Sequence, residues 1–268
     1  MSQFHNLFRK VVVEKEASPS RPIDDGTEAA EQLCALQNVP TVDVRLEPAN
    51  RLIFHSGPQS VTAERFRLLR MRLQERSKVR KLKTVLITSP LPHDGKSTVA
   101  LNLSTALAEQ GKRSVLLIEG DLHHAQIMYR LGLEPSTGLG ECLENHTSPL
   151  QSLLRVQPLG WYLLPAGRSS ANPTELLQTA SVTDLFENLA RFFDWIVVDS
   201  PPVLPLTDAL SLRQRADACL MVVRADETPR DAVEQAVNLV GKEHILGIVL
   251  NGVEGLHRVY SKYGYYRS

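Results

Sequence analysis

Gly95-Lys96-Ser97-Thr98 is the densest piece of chemistry in the sequence. The tetrad closes a loop that opens at Pro90 and carries Pro92, His93 and Asp94. In such a loop the backbone N–H groups and the following helix converge on phosphate. Lys96 then reaches the outer phosphates, and the Ser97 hydroxyl is placed to ligate Mg²⁺. Pro90 stands where the full G-x4-G-K-[ST] pattern has its first glycine, and a bare Gly-Lys-Ser also occurs in capped surface turns, so the flanking elements decide. Two acids, Glu119 and Asp121, follow an apolar run and are placed to hold Mg²⁺ or its waters, or to take a proton. Asp199 ends the run Trp195–Val198, the position of a Walker B acid that contacts Mg²⁺ through water, although Asp also caps strand ends generally. Asn251 either offers its amide to an adenine edge or makes a turn before Gly252. Four of the six tyrosines (Tyr260, Tyr263, Tyr265 and Tyr266) fall in the last nine residues. Their spacing makes no single helical face, which leaves a phosphoacceptor tail, an aromatic adhesive patch or composition bias.

The elements that must position these groups are legible on either side of them. Val85–Thr88 reads as a strand entering the loop, and Val99, Leu103, Ala106 and Leu107 share one side of a helix that Gly111 stops. Ser114–Glu119, Trp161–Leu164, Trp195–Val198, Cys219–Val223 and Leu246–Leu250 read as further strands. Helices are expected from Asn172 to about Phe193 and from about Pro229 to Val240. At least six β segments alternating with helices imply an α/β fold, a mainly parallel, doubly wound sheet of the P-loop NTPase kind. Nucleotide would sit outside the carboxyl ends of the strands.

A chain of 268 residues holds one such domain plus an appendage. The expected division is an N-terminal extension, partly disordered, over 1–58, a domain over 59–256 and a flexible tyrosine-rich tail over 257–268. Residues 1–13 suit a short amphipathic helix or a frayed terminus, and Ala17–Gly26 a linker. Glu28–Gln37 could form one short helix, with irregular or briefly extended chain over Pro40–Pro58. No apolar run is long enough to span a bilayer, the N-terminus lacks a signal-peptide pattern, and Cys34, Cys142 and Cys219 have no metal-ligand spacing, which together read as a cytosolic protein with reduced thiols. Thr62–Lys83 carries nine basic residues against two acidic ones. Phe66, Leu69 and Leu73 share one helical face, and Glu64, Arg67 and Arg70 fall on the other. That second face is a solvated one or pairs with a neighbouring subunit, and no interleaved aromatics favour nucleic acid.

From Glu64 to Ser268 the chain resembles the cytoplasmic kinase domain of bacterial tyrosine kinases, P-loop autokinases that regulate capsule and exopolysaccharide export. Glu64, Arg67 and Arg70 resemble the family's ring-forming E-x2-R-x2-R motif. Pro92–Thr98 resembles its P-G-x-G-K-S-T loop, Asn172–Leu177 its N-P-x-E-L-L helix start, and Asp199–Pro202 its D-[ST]-P-P motif, with Asp208 following. The resemblance implies ATP and Mg²⁺ as cofactors, with Lys96, Glu119, Asp121 and Asp199 as catalytic residues. It implies Ser97, Asp121 and Asp199 as the metal site, and a ring whose subunits phosphorylate one another's tail tyrosines. It also implies a separate membrane-bound chain-length or export protein as activator, no nucleic acid, and a cytoplasmic location at the inner face of the membrane through that partner. Three positions depart from the family: Glu119 and His123 stand in its D-x-D-x-R motif, and His93 replaces a loop glycine. Two alternatives follow, a catalytically degenerate ATP-binding regulator and a partitioning-type P-loop ATPase. Leu91 stands where the latter carries its signature lysine.

Overall fold

The computed structural model describes residues 36–47, 50–168 and 172–253. The four tail tyrosines, the 1–13 segment, the 17–26 linker and Cys34 lie outside the described residues. Among the described residues eight strands form one sheet: β1 (Thr41–Asp43), β2 (Thr84–Thr88), β3 (Val115–Glu119), β4 (Leu154–Gln157), β5 (Trp161–Leu164), β6 (Trp195–Asp199), β7 (Ala218–Arg224) and β8 (Ile245–Asn251). Their order is β1-β4-β5-β3-β6-β2-β7-β8, and every pairing is parallel except β4 with β5. β2, β3 and β6 are buried along their whole length. That is why they read as continuous apolar runs rather than alternating ones: both of their faces are covered.

The helices are α1 (Ile53–Ser56), α2 (Val61–Val79), α3 (Lys96–Ala108), α4 (Ile127–Arg130), α5 (Leu139–Asn145), α6 (Pro173–Gln178), α7 (Ala180–Leu189), α8 (Asp208–Arg213) and α9 (Arg230–Val240). One apolar core takes Phe66 and Leu73 of α2, Leu101, Leu103 and Leu107 of α3, and Ile127 of α4. The other takes Leu143 of α5, Leu177 of α6, Leu185 and Phe186 of α7, Leu212 of α8 and Ala236 of α9. These two cores cover the two faces of the sheet, so the doubly wound α/β arrangement expected from the sequence is the observed one.

Three differences from expectation have local causes. The single helix expected over 172–193 breaks at Thr179, which is extended (φ −70°, ψ 156°) and whose hydroxyl donates to the Leu176 carbonyl at 2.8 Å. The break re-aims α7 so that Val182, Leu185, Phe186 and Leu189 are all buried. β4 was not expected; it pairs antiparallel with β5 and brings β1 into the sheet beside it. Residues 36–58, assigned above to the N-terminal extension, place Leu36, Val39, Val44 and Leu52 in the cores.

Candidate active site

The phosphate loop joins β2 to α3, and its backbone explains its composition. His93 and Gly95 both sit at positive φ, 67° and 98°. A Cβ at Gly95 would fall 2.0 Å from Asn251 Nδ2, so glycine is required there by space as well as by φ. His93 takes the left-handed conformation at the glycine position of the family motif, which costs energy for a residue with a Cβ. α3 has no side-chain cap at Gly95. Its first N–H groups therefore remain free to meet an anion. Asp94 holds the loop closed from within. One of its carboxylate oxygens accepts from the Leu91 N–H at 3.1 Å and the other from the Thr228 hydroxyl at 2.7 Å. Asn251 at the end of β8 donates its amide to the Asp94 carbonyl at 2.9 Å. That bond makes Asn251 a brace of the loop from the end of β8. Thr228 had no sequence signal, since it lies 134 residues from its partner.

Register brings the acids to the loop. Glu119 of β3 pairs with Asp199 of β6, and Asp199 pairs with Ile87 of β2, so three strands end level. Gly120 turns the chain tightly there: its N–H donates to the Asp199 carbonyl at 2.7 Å, and a Cβ would fall 2.9 Å from that oxygen. Lys96 Nζ lies 3.3 Å from Asp121 Oδ2, with Asp121 almost wholly buried. The Asp199 carboxyl is buried and hydrogen-bonded to Ser97, and burial pushes its pKa up to about 7 against the opposing pull of Lys96. Its Oδ1 has no hydrogen-bond partner among the described residues.

Glu119 faces elsewhere. Its carboxylate accepts from the backbone N–H of Ile127 at 2.5 Å and of Ala166 at 3.2 Å, tying α4 and the end of β5 to β3. Burial raises its pKa, opposed by those backbone hydrogen bonds. Of the two acids expected to deprotonate a substrate, Asp121 thus has Oδ2 beside Lys96 and Oδ1 accepting from the His124 N–H at 3.0 Å, whereas both oxygens of Glu119 are engaged by backbone. His123 Nε2 lies 3.0 Å from Asp208 Oδ2, off the hydrogen-bond direction, and 3.4 Å from the Thr174 hydroxyl at the start of α6.

The cluster brings Lys96, Ser97, Asp121 and Asp199 together at one strand-end crevice. Mg²⁺ asks for few protein oxygens and keeps several waters. One hydroxyl and two carboxylates, one with an orphaned buried oxygen, fit that demand. Among the described residues no group of three or more His, Cys, Asp and Glu could cage a metal on its own. The expected ring motif lies apart on α2. Arg67 is ion-paired with Glu64 and donates to the Pro58 carbonyl at 2.7 Å, while Arg70 donates to the Ala106 carbonyl at 3.1 Å.

Tyrosine-protein kinase YwqD of Bacillus subtilis (strain 168) is 33% identical over 217 residues, which are 80% of this chain and 90% of YwqD. The chain belongs to the bacterial tyrosine-protein kinase family. A second family member, the putative tyrosine-protein kinase AmsA of Erwinia amylovora, is 30% identical over 84% of this chain but only 31% of its own length. The crystal structure of the chimerical protein CapA2B2 superposes with a TM-score of 0.71 at 25% identity, covering 85% of this chain and all of that one. The family model for cellulose biosynthesis protein BcsQ matches residues 93–251. No helix of the described residues is long and apolar enough to cross a membrane.

Proposed function

We propose that the chain is an ATP-dependent protein-tyrosine autokinase of capsule or exopolysaccharide production, acting on the tail tyrosines of neighbouring copies. The observation that carries this reading is the pairing of Lys96 with Asp121 at 3.3 Å, with the buried Asp199 bonded to Ser97 next to it, beside an uncapped helix start in a chain of this family. Lys96 binds the outer phosphates, and Ser97, Asp121 and Asp199 hold Mg²⁺. Mg-ATP supplies the phosphoryl group. Asp121 is the group that accepts the proton of an incoming tyrosine hydroxyl, because Glu119 is committed to two backbone N–H groups. Pro92, His93, Asp94, Gly95 and Thr98 complete the loop, with Asn251 as its brace.

Tyr260, Tyr263, Tyr265 and Tyr266 are the acceptors, and Glu64, Arg67 and Arg70 contribute to a homo-oligomeric ring. The protein acts in the cytoplasm, held at the inner face of the membrane by a separate export or chain-length protein that activates it. The likeness to CapA2B2 supports a partnered unit. AmsA supports it too, since there the matched stretch is part of a much longer chain. The test is the variant with all four tail tyrosines changed to Phe. It is expected to bind Mg-ATP as the wild type does and to lose the phosphotyrosine signal on a blot. Phosphotyrosine at wild-type level in that variant overturns the assignment of the tail as acceptor.

A further inference from the structure

Arg130 belongs to none of the motifs above, yet its guanidinium reaches the phosphate loop. Nη1 donates to the Thr98 hydroxyl at 2.8 Å. The single turn of α4 that carries it is fastened at both ends. Its first N–H, at Ile127, is held by the buried Glu119 carboxylate at 2.5 Å, and its last carbonyl, at Arg130 itself, accepts from the Asn50 amide.

A second positive charge, that of Arg51, also acts on Arg130. The backbone of Arg51 is left-handed, with φ 53°. It is held there by Asn102, a fully buried amide on α3. Asn102 donates to the Arg51 carbonyl and to the Thr98 carbonyl, both at 2.9 Å, and accepts from the Ile53 N–H at 2.8 Å. Arg51, Arg130 and Thr98 are therefore parts of one hydrogen-bonded unit built onto the start of α3. Two positive charges that act on one another are relieved by an anion between them. Among the described residues the carboxylate whose charge acts on Arg130 is Asp199, already a member of the metal cluster.

We propose that Arg130 is a nucleotide-binding side chain that contacts the inner phosphates of the nucleoside di- or triphosphate held by the loop, with Arg51, tied to the same unit through Asn102, as a second contributor of positive charge. The inference rests on the reading that the loop takes ATP. Lys96 serves the outer phosphates, whereas Thr98 lies deeper along α3, past the Ser97 of the metal site, where a loop of this kind cradles the α- and β-phosphates. A guanidinium is suited to that place because its planar fork can give two parallel hydrogen bonds to one phosphate and never loses its charge. Glu119 then acts as a positioning residue: by holding the first N–H of α4 it sets where Arg130 points.

The test is titration of fluorescent ADP and ATP analogues with Mg²⁺ against wild type, Arg130→Ala, Arg130→Lys and Arg51→Ala, with the melting temperature of each nucleotide-free protein recorded alongside. Arg130→Ala is expected to weaken ADP and ATP alike, by about tenfold or more, with its melting temperature held. Arg130→Lys is expected to recover only part of the loss, and Arg51→Ala, an exposed side chain, to lose several-fold. Unchanged affinity in Arg130→Ala overturns the inference, and loss of ATP affinity with ADP unchanged overturns the inner-phosphate placement. If Arg130→Ala melts early, Arg51→Ala decides by the same criterion. A wild type that binds neither nucleotide overturns the ATP reading itself, and this inference with it.

Discussion

Asp199 is the residue at which stability and function pull in opposite directions. Burial raises its pKa from the ordinary 3.8 to about 7, and Lys96 and the Ser97 hydrogen bond only partly offset that. The folded state therefore keeps a proton that the unfolded chain has released by about pH 4. Between those two values each rise in pH favours the unfolded chain, so this carboxyl costs stability progressively up to pH 7, by about 4 kcal/mol at most. Asp199→Asn removes the cost. Its nucleotide-free melting temperature is predicted to exceed that of wild type by several degrees at pH 8, with the gap closing toward pH 5. The same variant should lose the Mg²⁺-dependent part of nucleotide affinity. Calorimetry across pH checks both, and equal melting at pH 8 contradicts the assignment. This residue stood out in the sequence because it ends a buried apolar strand downstream of a phosphate loop, the combination that separates a Walker B acid from an ordinary strand cap. The contacts of Arg130, Asn102 and Thr228 were not legible there, since they reach partners 32, 49 and 134 residues away in the chain. Glu119 was visible as a departure from its family motif, but only the fold shows that its carboxylate ties down two backbone segments.

Among the elements, α2 is where sequence and packing diverge most usefully. Its apolar stripe was read correctly: Phe66 and Leu73 are buried, and the Ser60 hydroxyl caps its first turn through the Ala63 N–H at 3.2 Å. The opposite face is less uniform than its charges suggested. Arg70 leans onto α3, 3.8 Å from Glu109 as well as bonded to Ala106, whereas Glu64 and Arg67 pair at the surface beside Phe54. Arg70→Ala should therefore destabilise the monomer by about 1 kcal/mol. Glu64→Ala should cost less than about 0.5 kcal/mol, because an exposed pair is screened by solvent. Denaturant melts test the pair of numbers, and light scattering tests the ring. Glu64→Ala that lowers the oligomer mass without lowering stability assigns that residue to the interface; unchanged mass contradicts it. Central strands were legible because burial on both faces forces an unbroken apolar run. β1 and β4 were not, being short strands at or near the sheet's edge, and neither was the α6–α7 break, which turns on the torsion of Thr179.

At the scale of the molecule, the sheet order sets β2 between β6 and β7, so the loop after β2 meets the acid of β6 on one side and Arg224, Thr228 and Asn251 on the other. The chain leaves β8 at Asn251, already bonded to the phosphate loop, and the tyrosine-rich tail follows within a few residues. The proposed acceptor tyrosines are thus joined to the phosphate loop by a short stretch of sequence in one copy, and a ring would bring them to the loop of another. Phosphates on several tail tyrosines would repel one another and loosen such an assembly. The most direct test is the intact mass of the protein isolated from its own producing cells, where any membrane activator is present, with phosphatases inhibited. The account predicts a ladder of steps of about 80 Da, one phosphoryl group each, that maps to Tyr260, Tyr263, Tyr265 and Tyr266 and is absent from Lys96→Met prepared the same way. A single unmodified mass for a wild-type protein that binds ATP contradicts it.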